Sequence, residues 1–157
     1  MKILVTGGAG FIGSNFVRHI LNKYKQYTIV NLDKLTYAGN LKNLADLSSN
    51  KNHFFIKGDV CDKNCVEKAM AGCDIVINFA AETHVDRAIY DAGSFIKTDV
   101  YGTFILLSCA KRCKIKKFIQ ISTDEVYGSI DKGSFSEDSP LNPRNPYSAS
   151  KAGADNL

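Results

Sequence analysis

Residues 2–13 of the chain read KILVTGGAGFIG. The apolar run Lys2–Thr6, which has the length of a buried strand, leads into glycines that match both Gly-x-x-Gly-x-x-Gly and Gly-x-Gly-x-x-Gly. Such glycines permit a tight turn, a close approach of the backbone to a pyrophosphate, and close packing of the next helix. That helix directs its free N–H groups at the phosphates. The segment therefore predicts a dinucleotide site.

An acidic residue follows the second apolar run at the position that such a site requires. Asp33 lies 20 residues after Gly13, directly behind the predicted strand 27–32. Its carboxylate can accept hydrogen bonds from the ribose hydroxyls of adenosine and would repel a 2′-phosphate. We therefore expect NAD rather than NADP, although the adjacent Lys34 weakens this preference. Asp59, after the third strand, is either an adenine ligand or a helix cap.

Strand-like and helix-like segments alternate along the whole chain. The pattern predicts five strands, at Lys2–Thr6, 27–32, His53–Lys57, 74–79 and 117–122. It predicts helices at 13–23, 40–47, 61–70, Val85–Tyr90, 92–112 and from residue 147 onward, with a long loop at 123–146. Alternation of this kind predicts an α/β fold, a doubly wound parallel sheet of the Rossmann type in the order 3-2-1-4-5. The length of 157 residues suits one such domain.

The predicted helix 92–112 is apolar around much of its circumference. One stripe contains Ile96, Val100, Thr103 and Leu107, and a second contains Tyr101, Phe104 and Ile105. A helix that covers one face of a sheet needs only one apolar stripe. We therefore expect the second stripe to pack against another helix, such as that of a second subunit.

Composition excludes several classes of protein. The net charge of +4 comes from the basic cluster 111–117, which is more simply explained as a helix end than as a nucleic-acid site. No segment resembles a signal peptide or a membrane span, so a cytoplasmic location is expected. The five cysteines argue against a disulfide framework. The pairs Cys61/Cys65 and Cys109/Cys113 lack further ligands nearby, so no metal is predicted.

Two groups of residues near the end of the chain suggest acid–base chemistry. Tyr147 and Lys151 have the spacing that brings side chains together on one helix face. A nearby ammonium group should lower the pKa of the phenol, which could then take a proton while hydride passes to a nicotinamide. Asp124 and Glu125 follow the fifth strand, and elimination of water needs one acid and one base. Loop carboxylates that merely face solvent are the alternative.

Five segments carry a resemblance to a known family. They are TGGAGFIGS (6–14), NLDKLTYAGNLKNL (31–44), INFAAETHVDRAI (77–89), STDEVYGS (122–129) and NPYSASKAGADNL (145–157). The chain resembles the N-terminal part of the extended short-chain dehydrogenases/reductases and, among them, the dTDP-glucose 4,6-dehydratases. The glycine motif and Tyr-x-x-x-Lys identify only the superfamily, whereas STDEVYG together with DKLTYAGN is specific to these dehydratases.

The resemblance implies a reaction that makes a 4-keto-6-deoxy sugar. Tyr147, assisted by Lys151, would take the proton of the glucose 4-hydroxyl as hydride leaves C4 for NAD⁺. Glu125 would then remove the C5 hydrogen while Asp124 protonates the departing 6-hydroxyl, and hydride would return to C6. Thr123 would hydrogen-bond to the sugar at O4. Such a cycle regenerates NAD⁺, so the cofactor is expected to stay tightly bound.

The resemblance also implies a set of contact residues. The predicted cofactor contacts, motif glycines included, are Gly7, Gly10, Phe11, Ile12, Gly13, Asp33, Lys34, Leu35, Thr36, Asp59, Val60, Ala80, Ala81, Glu82, Thr83, Thr98, Tyr147 and Lys151. The predicted substrate contacts are His84, Thr123, Asp124 and Glu125.

Members of this family continue well beyond the length of this chain. They add strands to the sheet and a smaller domain that binds the nucleotide of the substrate. We therefore expect residues 1–157 to be an NAD-binding domain that carries the catalytic residues, with a sheet incomplete at its C-terminal side and no substrate-binding domain. These residues alone are not expected to turn over, and the full-length protein is expected to be a homodimer.

Three alternatives remain at this point. A 4-epimerase or a decarboxylase of the same superfamily would share most of the chain. In an epimerase we would expect small residues at 124 and 125, and in a decarboxylase or a GDP-mannose dehydratase a serine at 124. The third alternative is an NAD-binding fragment without chemistry.

Overall fold

A computed structural model describes residues 1–157 and contains one five-stranded sheet. The strands are β1 (Lys2–Thr6), β2 (Thr28–Asp33), β3 (His53–Lys57), β4 (Ile75–Asn78) and β5 (Lys117–Gln120). All four neighbouring pairs are parallel, and the order is β3-β2-β1-β4-β5. The predicted fold class and strand order are therefore confirmed.

The helices are α1 (Phe11–Lys23), α2 (Lys63–Met70), α3 (Val85–Tyr90), α4 (Ala92–Phe95), α5 (Gly102–Arg112) and α6 (Pro146–Asp155). Two 3₁₀ helices cover Leu41–Leu47 and Asp124–Tyr127, and a π-helical segment covers Ile96–Tyr101. Most predicted elements are present, with ends that differ by a few residues. The short helix Asp124–Tyr127 lies inside the predicted loop.

Successive strand residues supply two separate apolar layers. Leu4 of β1 packs in a cluster with side chains of α2 and α5, whereas Ile3 and Val5 pack in a second cluster with side chains of α1 and Leu41–Leu47. Side chains of a strand alternate between the two faces, so a strand covered on both faces must be apolar throughout. This explains the uninterrupted apolar runs of the sequence.

The start of α2 resolves one of the alternatives for Asp59. Helix α2 begins at Lys63, and its cap is Asp62, whose carboxylate accepts hydrogen bonds from the N–H groups of Asn64 and Cys65. Asp59 lies outside this cap and forms an ion pair with Lys34. Asp59 follows β3 and lies at the C-terminal edge of the sheet, where ligands bind in folds of this type, and its Oδ1 accepts a hydrogen bond from the N–H of Cys61.

The prediction of one continuous α-helix over 92–112 is wrong in its middle. Residues Ile96–Tyr101 form a π-helical segment between α4 and α5. A period of 3.6 residues and the wider π turn differ little over so short a stretch, so apolar spacing alone could not separate them. The wide turn contains Asp99, whose side chain is buried.

The predicted second stripe of this helix is only partly correct. Ile105 is buried in the core, so it does not belong to an outward-facing stripe. Tyr101 and Phe104 are exposed, and their ring centroids lie 6.1 Å apart. Val100 of the first stripe packs beside Gly153 of α6.

No helix of the structure combines the length and the apolarity needed to cross a bilayer. All five cysteines are free thiols. Two of the basic residues between 111 and 117 are paired, since Arg112 contacts Glu67 and Lys116 contacts Asp74.

Candidate cofactor and catalytic site

A cleft of about 570 Å³ opens at the C-terminal ends of the strands, where the loops after β1, β2 and β4 meet. This is the point at which the strand order reverses, where ligands bind in doubly wound sheets. Of the predicted cofactor contacts, those that line the cleft are Gly7, Gly10, Phe11, Ile12, Gly13, Asp33, Lys34, Thr36, Asp59, Val60, Ala80, Ala81, Glu82, Thr83, Thr98, Tyr147 and Lys151. The predicted substrate contact His84 lines it too.

The glycine-rich turn after β1 has no room for side chains. Gly7 has φ +69°, and a Cβ there would lie 2.6 Å from the backbone nitrogen of Ala80. A Cβ on Gly13 would collide with the carbonyl oxygen of Gly7. Helix α1 starts directly afterwards without a side-chain cap, so the N–H groups of its first turn remain free. The turn and the helix end thus form a cradle that fits a pyrophosphate.

Asp33 connects the glycine-rich turn to the loop after β2. Its side chain accepts hydrogen bonds from the N–H of Ala9 and the N–H of Leu35, both at 2.8 Å, and the residue is 9% exposed. Each carboxylate oxygen has two lone pairs, so both can also accept a ribose hydroxyl. Asp33 is therefore held in place by the backbone before any ligand binds.

Leu35 is the one predicted cofactor contact that lies outside the cleft wall. Its side chain packs against the apolar layer formed with α1, and its backbone has φ +59°. An apolar side chain next to an open hydrophobic layer is more stable there than in a polar cleft. Leu35 contributes its N–H to Asp33 instead of a side chain to the cleft.

Lys34 and Asp59 form an ion pair on the side of the cleft where the loops after β2 and β3 lie. The distance between Lys34 Nζ and Asp59 Oδ2 is 2.8 Å. Burial is the largest single effect and opposes ionisation of Asp59, but the hydrogen bonds from Lys34 and Cys61 and the charge of Lys34 together outweigh it and keep the pKa of the carboxyl below its usual value. The charge of Lys34 is thereby directed at Asp59.

The N-terminus of α6 is built to present its first turn rigidly. Asn145 Oδ1 accepts a hydrogen bond from the N–H of Ser148 at 2.8 Å, and Ser148 Oγ accepts one from the N–H of Asn145 at 3.2 Å. Pro146 occupies the first helical position. This capping box fixes the turn that carries Tyr147, and Lys151 follows one turn later on the same face.

Lys151 is almost fully buried, at 4% exposure, and its Nζ donates a hydrogen bond to the carbonyl oxygen of Ile121 at 2.6 Å. Burial lowers the pKa of Lys151, while Asp99 and Asp155 act in the opposite direction. The ammonium group is therefore tied to the segment that follows β5, and the negative charges of Asp99 and Asp155 partly offset the effect of burial on its pKa.

The predicted effect of Lys151 on Tyr147 is wrong for this structure. The pKa of Tyr147 is raised, mainly because the phenol is partly buried. The hydroxyl of Thr123 lowers it, whereas the carboxylates of Glu125, Asp99 and Asp124 raise it further. Negative charges around the phenol oppose the formation of a negatively charged phenolate. Residue spacing along one helix could not reveal these carboxylates, because they belong to other elements.

The two predicted acid–base carboxylates have different surroundings. Glu125 is half-buried, and its Oε2 accepts a hydrogen bond from Asn145 Nδ2 at 3.0 Å. Asp124 is exposed and, with Thr123, lines a second, shallower cleft between the segment after β5 and α6. Ser122 borders both clefts, so this second cleft adjoins the larger one. One carboxyl is thus oriented by the protein and the other is open to solvent.

Comparison with known proteins identifies the family. The model of the family described as GDP-mannose 4,6 dehydratase matches residues 4–157. The chain belongs to this family. Among curated relatives, it is 55% identical over 157 residues to the low-salt glycan biosynthesis protein Agl12 of Haloferax volcanii, covering all of this chain and 50% of that protein.

Further relatives in this family carry a more specific name. The chain is 51% identical over 163 residues to the dTDP-glucose 4,6-dehydratase of Streptomyces niveus, covering 100% of this chain and 48% of that protein. It is 48% identical over 157 residues to the human dTDP-D-glucose 4,6-dehydratase, covering 98% of this chain and 45% of that protein. The chain spans about half the length of the curated relatives it matches.

Solved structures share the fold across more than one activity. DesIV, a dTDP-glucose 4,6-dehydratase from Streptomyces venezuelae solved with NAD and TYD bound, matches with a TM-score of 0.96 and 49% identity, over 99% of this chain and 49% of that one. UDP-glucose 4-epimerase of Thermotoga maritima matches with a TM-score of 0.88 and 30% identity, over 99% of this chain and 49% of that one. The fold alone therefore does not select the reaction.

Two residues that sequence reasoning missed hold parts of the site together. Asp99 accepts hydrogen bonds from the N–H of Glu82 and from Ser150 Oγ, at 2.8 and 2.7 Å, and so joins the cleft wall to α6. Burial raises its pKa to about 6. Asn145 both caps α6 and holds Glu125. Asp99 could have been found from the sequence as a carboxylate inside an otherwise apolar helix. Asn145 could have been found as an asparagine directly before a proline that begins a helix.

Proposed function

We propose that the protein carrying this chain is an NAD-dependent dehydratase that converts dTDP-glucose to its 4-keto-6-deoxy derivative. Residues 1–157 would supply the NAD-binding domain and the catalytic residues, and a further domain would bind the nucleotide of the substrate. Identity of 48–51% to curated dTDP-glucose 4,6-dehydratases from bacteria and human supports the proposal. Free thiols throughout the chain accord with the cytoplasmic location that we expect.

The observation that carries the proposal is the pair Asp124 and Glu125 beside Tyr147. Elimination needs one carboxyl that takes a proton and one that gives a proton, and unlike surroundings allow adjacent carboxyls to divide these roles. Glu125 is oriented by Asn145, whereas Asp124 faces the open cleft. An epimerase has no use for this second pair of proton-transfer groups.

The cofactor end of the cleft fits NAD. Asp33 faces the position of the adenosine ribose with its two oxygens already oriented. A 2′-phosphate would meet this carboxylate, and Lys34 would have to leave Asp59 to neutralise it. Both effects favour NAD over NADP. When bound, NAD would accept hydride from the sugar and return it later in the cycle.

The residues of the chain would move protons around that exchange. Tyr147 would take the proton of the 4-hydroxyl once the positive charge of the oxidised nicotinamide offsets the burial and the carboxylates that raise the pKa of its phenol. Thr123, whose hydroxyl lowers that pKa, hydrogen-bonds to the same oxygen. Lys151, held against the carbonyl of Ile121, keeps a positive charge near the developing phenolate. Glu125 then removes the proton at C5, which the neighbouring ketone has acidified, and Asp124 protonates the 6-hydroxyl as it departs as water.

We also propose that the full-length protein forms a homodimer through the outer face of the helices α3 to α5. Apolar side chains exposed on these helices and on the π-helical segment are Ile89, Tyr90, Ile96, Tyr101 and Phe104. An exposed apolar patch of this kind marks an association surface. Sedimentation velocity of the natural-length protein over a range of concentrations tests this, and a monomer at every concentration contradicts it.

The reaction is tested with the gene product at its natural length. Incubation with dTDP-glucose should give a 4-keto product that is detected by its absorbance in alkali, and UDP-glucose should react more weakly or not at all. Formation of the C4 epimer without a keto product would favour the epimerase alternative. No reaction together with NAD binding would favour a non-catalytic role.

Two substitutions separate the oxidation from the elimination. In Asp124→Asn the C4 oxidation should proceed while elimination is blocked, so reduced nicotinamide should accumulate on addition of substrate. In Tyr147→Phe the oxidation itself should be lost, and no reduced nicotinamide should appear. Normal product formation by Asp124→Asn would show that Asp124 is not the acid.

A further inference from the structure

Tyr37 joins two loops on opposite sides of the cofactor cleft. It belongs to the loop 34–40 after β2, and it contacts Thr83 in the loop 79–84 after β4. In the sheet, β2 and β4 flank β1 on either side, so these loops lie on either side of the glycine-rich turn. Both loops line the cleft. A bond between them therefore crosses its mouth.

The contact is made by the single hydroxyl group of Tyr37, mainly with the main chain of Thr83 and also with Thr83 Oγ1 at 3.3 Å. Tyr37 Oη donates a hydrogen bond to the carbonyl oxygen of Thr83 at 2.8 Å and accepts one from the N–H of Thr83 at 3.0 Å. Next to Thr83, His84 has φ +74°, and its ring centroid lies 6.0 Å from that of Tyr37. The hydroxyl thus holds Thr83 in place, directly before His84, which lines the cleft.

A second contact holds the ring itself. The guanidinium carbon of Arg87, in α3, lies 3.8 Å from the centroid of the Tyr37 ring, a cation–π geometry. At its other end, the loop 34–40 is tied to the glycine-rich turn, because the N–H of Asn40 donates to the carbonyl oxygen of Ala9 at 3.0 Å. The loop is therefore anchored on both sides of the cleft, while Tyr37 is 45% exposed at the surface.

We propose that Tyr37 is a clasp that closes the cleft over the dinucleotide and controls how fast the cofactor enters and leaves. The inference rests on the proposed function, in which NAD is regenerated in every cycle and has no need to dissociate. The exposed position lets the clasp open without disturbing the core. Its two shorter bonds are made to main-chain atoms of Thr83, and a longer contact of 3.3 Å reaches Thr83 Oγ1.

The clasp is tested by Tyr37→Phe, which removes one oxygen atom and keeps the ring on Arg87. NADH is bound to the natural-length protein and displaced with excess NAD⁺ while the fluorescence of the nicotinamide is followed. Two hydrogen bonds at their usual net values correspond to about tenfold faster dissociation. Association should also become faster, so that Kd changes by less than about threefold.

Tyr24→Phe is the matched control, since Tyr24 stacks on Tyr27 outside the cleft. It should leave both rate constants unchanged. An unchanged dissociation rate in Tyr37→Phe would overturn the clasp, as would a weaker Kd caused by slower association, which would indicate a loop-shaping role. If the unsubstituted protein binds no NADH, the proposed cofactor fails and the clasp fails with it. Binding with identical rates in the two proteins overturns the clasp alone.

Discussion

The two ends of the site differ in how the protein holds its carboxylates. At the cofactor end, Asp33 is buried and accepts two backbone hydrogen bonds at 2.8 Å. At the reaction end, Asp124 is exposed, and its contact with Thr123 Oγ1 is 3.4 Å long. The first carboxylate is part of the folded framework, whereas the second is held mainly by the position of its backbone.

This difference agrees with the different roles that the proposed function gives to the two ends. A dinucleotide is recognised by fixed donors and acceptors, so strand ends and a helix N-terminus can supply them as part of the fold. Proton transfer needs side chains that reach the reacting atoms and can exchange protons with solvent. Substitutions at the cofactor end should therefore change stability and binding together, whereas those at the reaction end should change chemistry alone.

The largest effect is expected for Gly13→Ala. The new methyl group would collide with the carbonyl oxygen of Gly7 and lie 2.8 Å from the Cα of Gly8, and backbone atoms cannot move aside cheaply. We expect a loss of about 3 kcal/mol in the free energy of unfolding and no measurable NAD binding. Urea unfolding and calorimetric titration measure the two. Gly93→Ala is the control, because a Cβ there meets only Asp91 Oδ1 at 3.6 Å; equal losses in both variants would break the comparison.

Asp33→Asn should have the next largest effect. The amide nitrogen cannot accept a hydrogen bond, so either Ala9 or Leu35 loses its partner, at a cost of about 1–3 kcal/mol in stability. NAD affinity should fall by about tenfold or more, and the ratio of NADP to NAD affinity should rise. The exposed Asp131→Asn serves as the control. Unaltered stability in Asp33→Asn would show that this carboxylate is not part of the framework.

Asp99, between the two ends, should make stability depend on pH. Its pKa is raised to about 6 from 3.8, so between these values the folded protein keeps a proton that the unfolded chain has lost. Stability therefore falls as pH rises through this window, by up to about 3 kcal/mol. Asp99→Asn does not titrate, so its stability relative to the unsubstituted chain should increase from pH 4 to pH 7. Urea unfolding of both proteins at pH 4 and pH 7 measures this difference. The same difference in the free energy of unfolding at both pH values would contradict the prediction.

The smallest effect is expected for Asp124→Asn. Because Asp124 is exposed and supports no other element, its free energy of unfolding should stay within about 0.5 kcal/mol of the unsubstituted value. NAD affinity measured by calorimetry should be unchanged, although dehydration is lost. A marked loss of stability or of NAD binding would show that the reaction end also belongs to the framework.

Much of the cofactor end could be predicted from the sequence, because its information is local. A strand, glycines at fixed spacing and an acid at the end of the next strand occur in chain order, and the glycine-rich turn, Asp33 and Lys34 all line the cleft. Leu35 was placed by motif position alone, and its side chain turns to the core. Tyr37 and Thr83 are 46 positions apart in the chain, so no local sequence pattern could predict their contact.

The reaction end depended more on tertiary structure. Sequence spacing brought Tyr147 and Lys151 to one helix face, but the pKa of Tyr147 is set mainly by burial and by three carboxylates from two other segments. Apolar spacing that assumes a regular α-helix could not predict the π-helical segment or the burial of Asp99 within it.

The sequence by itself determined the α/β class, the strand order and the cofactor cradle, because alternating apolar periods and glycine spacing encode them along the chain. Only the tertiary structure decided that Asn145 holds Glu125, that Asp99 joins Glu82 to Ser150, and that Tyr37 bridges the cleft. These contacts join residues that are distant in the chain, and their energies depend on burial and on neighbours that only folding brings together.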